Sequence, residues 1–106
     1  MKGQTKIELN GKKIELKFTL GVIEDLQEWA KKNDVDNPDT DPKGQRVMFA
    51  LMELYAGDGW MDADVIEKAV AESRKYKALG IDQIQVMMDM VDGASEGLAK
   101  GKADGK

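Results

Sequence analysis

Apolar and polar side chains alternate from Thr5 to Leu9 and again from Lys12 to Phe18, with Asn10-Gly11 between the two runs. A period of two marks strands with one covered face, and Asn-Gly accepts the positive φ angles of a type I′ turn. A β-hairpin is predicted. Its two-residue loop sets Ile7 opposite Ile14 on one face, with Glu8 opposite Lys13 and Lys6 opposite Glu15 on the other. A lone hairpin is marginal in water, so the face carrying Ile7, Ile14, Leu16 and Phe18 must rest on another element.

After Thr19 the period changes. Leu20, Val22, Ile23, Leu26, Trp29 and Ala30 recur at three- and four-residue steps, predicting an amphipathic helix capped by Thr19 and running to about Lys32. Residues 33–42 contain two prolines and no periodicity, so a surface loop is expected, with Asp41-Pro42 as the cap and first position of a second helix. From Val47 to Tyr55 that helix is apolar nearly all round, which makes it the most buried, and Gly57 ends it.

A third helix is predicted from near Asp62, stapled by Met61 and Ile66 and fading through Ser73 to Lys77. A fourth follows Gly80, with Asp82 and Gln85 at capping-box spacing, and should reach about Val91. Beyond Gly93, glycine and lysine leave too little apolar surface to offset ordering, so residues 93–106 are expected to form a flexible polar tail. The expected fold is α+β: one domain over residues 1–92, with an N-terminal β-hairpin packed against about four helices.

Composition narrows the chemistry. The chain has no cysteine and no histidine, which excludes disulfides, thiolate metal sites and Ser-His or Cys-His nucleophiles. No spacing sets two carboxylates together in an apolar setting that would split their pKa values, so neither enzyme activity nor a cofactor is expected. Sixteen basic against twenty acidic residues, a net charge of −4, oppose general attraction to nucleic acid or anionic lipid. No stretch approaches the roughly 20 apolar residues of a membrane span and no signal-peptide run follows Met1, so a cytoplasmic protein is expected.

Three features invite a site. Asp34, Asp36, Asp39 and Asp41 suggest calcium, but in an EF-hand frame begun at Asp34 the fifth position is Pro38 and the twelfth Gln45. A frame begun at Asp58 puts Trp60 third and Ala69 twelfth, so a solvated acidic loop is expected and no metal. Arg74-Lys75-Tyr76-Lys77 interleaves an aromatic with three cations, as a phosphate contact would, although cations at a helix end also complement its dipole. Methionine is abundant, and its flexible thioether suits adaptable partner grooves as well as core gaps. Met48 and Met52 belong to the core. In the last helix Ile84, Met87, Met88 and Val91 share one face while Met90 points elsewhere, so exposed methionine is expected there. Trp60, between glycine-rich Gly57-Asp-Gly and Met61, is either a partner contact or a lid on the core. The candidate protein-binding residues are therefore Trp60, Met61, Met87, Met88 and Met90.

The run Ile7-Glu-Leu-Asn-Gly-Lys-Lys-Ile-Glu-Leu-Lys-Phe-Thr-Leu-Gly-Val-Ile-Glu-Asp-Leu26 resembles the amino termini of tail assembly chaperones from long-tailed phages and prophages. In that family a hairpin carrying Asn-Gly-Lys leads through a Phe-x-Leu-Gly segment into the first helix. Phe49-Ala-Leu-Met-Glu-Leu-Tyr55 and Trp60-Met-Asp-Ala-Asp-Val-Ile66 are similar to its apolar helix and the capped helix that follows. The resemblance implies a protein of the host-cell cytoplasm, often a homo-oligomer. Such a protein binds the tape-measure protein and keeps it soluble while tail-tube protein polymerises around it. The family has no active site. The rival expectation is a small nucleic-acid-associated regulatory protein of phage or prophage origin.

Overall fold

A computed structural model describes the backbone of residues 4–104 and the side chains of residues 4–92. Strands β1 (Gln4–Leu9) and β2 (Lys12–Lys17) pair antiparallel, and the turn holds Asn10 and Gly11 at φ of 52° and 79°. The register follows the alternation: Ile7 faces Ile14, Glu8 faces Lys13 and Lys6 faces Glu15. Ile7, Leu9, Leu16 and Phe18 are buried, while Ile14, nearer the turn, is half-covered. With four α-helices beneath it, the hairpin completes an α+β fold.

Helix α1 (Leu20–Lys32) starts at an extended Thr19 whose hydroxyl accepts from the Val22 N–H at 3.4 Å. It buries Val22, Leu26, Trp29 and Ala30 and leaves Leu20 exposed. The following loop folds back over the start of helix α2 (Pro42–Ala56), where the Asp41 carboxylate accepts from the Gly44 N–H at 2.9 Å. A Cβ on Gly44 would overlap the Pro38 carbonyl, so only glycine admits the loop at this crossing. The acidic loop therefore also has a packing role.

From Val47 to Met52 every residue of α2 is buried, more than one full turn, so the helix is enclosed by β2, α1 and the third helix. A 3-10 turn over Gly59–Met61 then leads to α3 (Val65–Glu72), which tightens into a second 3-10 segment, Ser73–Ala78. Helix α3 begins three residues later than the sequence suggested. Asp62 is extended, with its N–H bound to the Gly59 carbonyl and its carboxylate paired with Lys68, and Met61 stays exposed rather than stapling Ile66.

Helix α4 (Ile81–Asp104) rests against β1. Gln83, not the expected Asp82 and Gln85 pair, closes its first turn, accepting from the Gly80 N–H at 2.8 Å. The helix continues past the expected end at Val91, because alanine, glutamate and leucine lend propensity between the glycines. The expectation of a flexible tail over residues 93–106 falls on side chains outside the described residues. Among the described residues no helix is long and apolar enough to cross a membrane.

Candidate protein-binding surface

The five residues singled out from sequence divide. Trp60 and Met61 are exposed, at 46% and 62% of their surface, and Met88 is half-buried. Met87 and Met90 are core residues, with 0% and 7% exposed, which corrects the expectation that Met90 points away from the core and leaves Met88 as the partly exposed methionine of this helix. The physical reason is the rotation of α4 about its own axis. Three residues advance roughly 300° around a helix, so Met90 and Ile84 flank Met87 on either side of one inward stripe. Seven of the eleven residues Ile81–Val91 are apolar, and the pattern alone does not choose which of them face inward.

Trp60 is positioned by the end of α2. Tyr55, in the last turn, lays its ring over Gly21, where a Cβ would overlap it, and its hydroxyl donates to the Asp25 carboxylate at 2.5 Å. The indole of Trp60 stacks on that ring with centroids 6.0 Å apart and planes 22° from parallel. Gly59 permits the tight return, since a Cβ there would meet the end of the Leu54 side chain. Trp60 is thus held on one face by Tyr55 and open on the other, with Met61 beside it. Burial, the hydrogen bond to Asp25 and the charges of Asp25 and Glu24 all raise the Tyr55 phenol above its ordinary pKa. Leu20, next to Gly21 in sequence, is exposed as well.

The Arg74-Lys75-Tyr76-Lys77 run does not present an aromatic among cations. Tyr76 is fully buried, stacked on Phe49 at 5.4 Å, and its hydroxyl donates to Glu53 at 2.8 Å. Lys75 pairs with Glu53 at 2.5 Å and Glu72 at 3.1 Å, and these carboxylates outweigh the opposing effect of burial and raise its pKa. Arg74 and Lys77 instead meet Lys43 and Arg46 of α2 along a groove of about 290 Å³ floored by Trp29 and Val70. Sequence reading missed this groove. The available signal was two cation pairs at a spacing of three, Lys43 with Arg46 and Arg74 with Lys77, each forming one face of a helical turn.

In the acidic loop, Asp41 is committed to capping α2 and Asp34 occupies a turn at φ 55°. Among the described residues no three acidic side chains gather as metal ligands would. No protein-family model, curated protein or solved structure matches this chain.

Proposed function

We propose that this protein is an assembly chaperone of the phage tail type, which binds the tape-measure protein along a helical segment and keeps it soluble while tail-tube protein polymerises. The observation that carries the reading is the half-exposed Trp60, braced by the Tyr55–Asp25 pair and continued by Met61. A large aromatic already fixed in place loses little conformational entropy on binding, which is why such residues serve as anchors in interfaces. An apolar strip of this kind suits the apolar face of an amphipathic helix. The residues that carry the resemblance, Ile7 to Leu26, make the hairpin, its buried face and the start of α1. They support the family reading through the fold, and the Trp60 end supplies the contact.

The test is co-expression with a phage tape-measure protein, followed by capture on the tagged chain and sedimentation of the free chain. Trp60→Ser with Met61→Ser should lower capture about tenfold, equivalent to about 1.4 kcal/mol, with an unchanged circular dichroism spectrum. Undiminished capture by a folded double variant rejects this surface. The nucleic-acid alternative loses support with Tyr76 enclosed in the core, because no ring there is open to a base. Titration with DNA at low salt separates the two classes.

A further inference from the structure

We propose that the groove between α2 and the Ser73–Ala78 segment is a second binding site, and that it takes an acidic segment of a partner protein. Its cations are Lys43, Arg46, Arg74 and Lys77, among them both arginines of the chain. Among the described residues none of the four lies within 4.0 Å of a carboxylate, as also holds for Lys12, Lys13, Lys17 and Lys31, but these four line one groove. In a chain where acids outnumber bases by twenty to sixteen, four cations gathered on one groove without counter-charge stand out. Like charges held close destabilise a fold, and an incoming anion relieves that repulsion.

The floor decides what kind of anion fits. Val70 is 42% exposed between the arginines and lysines, so the ligand should carry apolar as well as anionic groups. A free phosphate would leave Val70 uncovered. Nucleic acid is disfavoured twice: Trp29 is buried and offers no ring face for stacking, and the net charge of −4 repels a long polyanion. A peptide with carboxylates spaced around an apolar residue meets every feature. Its carboxylates can take bidentate bonds from Arg46 and Arg74, and its apolar side chain can cover Val70. The groove adjoins the start of α2 and the Trp60 surface its end, so the two sites are separable.

The test uses the whole chain and a fluorescein-labelled amphipathic peptide of leucine and glutamate, beside its glutamine-for-glutamate analogue and a single-stranded oligonucleotide. The glutamate peptide should bind, weaken about tenfold between low and moderately high salt, and shift the Trp29 indole N–H resonance while leaving that of Trp60 in place. Arg46→Gln with Arg74→Gln should lower its affinity at least tenfold, and Trp60→Ser should not. If the arginine variant fails to fold, Lys43→Gln with Lys77→Gln, two exposed side chains, gives the same comparison. Equal binding of the glutamine analogue, no effect of either charge variant, or tighter oligonucleotide binding through the same residues overturns the proposal. Because Trp60→Ser leaves this site intact, failure here is distinct from failure of the chaperone reading.

Discussion

The hydroxyl of Tyr76 donates to the carboxylate of Glu53 at 2.8 Å, tying the 3-10 segment after α3 to the last turn of α2. Lys75 closes on the same carboxylate, so one side of the segment is fixed inward and Arg74 and Lys77 are turned toward the groove. Tyr76→Phe should cost about 1 to 2 kcal/mol, the range for a hydrogen bond to a charged group that is partly screened. Urea denaturation of the variant against the parent measures it.

Both Tyr55 and Tyr76 are raised above the ordinary phenol value, first by burial and then by hydrogen bonds to Asp25 and Glu53. The folded state therefore keeps protons that the unfolded chain gives up above about pH 10. Stability contributed by these phenols is fully present below that pH and is lost as pH rises toward the folded values. The unfolding midpoint should fall above about pH 10, less steeply in Tyr76→Phe, and absorbance at the phenolate band should show both tyrosines titrating late in the native protein.

Met87→Ala should cost roughly 2 to 5 kcal/mol, as large-to-small changes at enclosed core sites do, and Met88→Ala distinctly less. Thermal melts of the two variants report directly on how α4 is rotated. Equal losses would contradict the inward stripe centred on Met87.

The contrast between those neighbours shows what the sequence carried. The hairpin was legible to the residue, because a period of two, an Asn-Gly turn and three cross-strand pairs agree on one register. The Thr19 and Asp41 caps were legible for a related reason: a cap is a local hydrogen bond between a side chain and the third N–H onward. Rotation of α4 was not, since Ile84, Val86, Met87, Met88, Met90 and Val91 cover too wide an arc of the helix. The Trp60 environment was half legible. Glycines around it announced a tight turn, but the ring it stacks on belongs to α2 and the carboxylate steadying that ring to α1. The basic groove joins residues some thirty positions apart, a distance over which charge patterning in one helix carries no information.

Phe18→Ala should cost roughly 3 kcal/mol or more, because the ring is buried beneath the hairpin at the junction with α1. An unchanged denaturant midpoint would remove Phe18 from the core.

Gly44→Ala sets a new methyl group against the Pro38 backbone, which is held by the loop, and should cost about 1 to 3 kcal/mol despite alanine's better helix propensity. Gly59→Ala meets only the end of the Leu54 side chain, which can swing away, and should be milder. Comparing the two melting temperatures separates a backbone obstacle from a side-chain one.

A sheet of two strands has no interior strand, so each strand is also a rim. In the register found here, Lys6 and Glu8 on one strand and Lys13, Glu15 and Lys17 on the other turn their backbone N–H and C=O groups outward. One of these, the Glu8 carbonyl, is taken by the Gln83 side chain at 3.3 Å. Every position in that outward row except Gln4, opposite Lys17, bears a charge, and lysine on a rim discourages a second hairpin from adding on as a further strand. The charged face of the hairpin thus disfavours polymerisation through its own strands, so the proposed partner contacts fall to side-chain surfaces rather than main-chain edges.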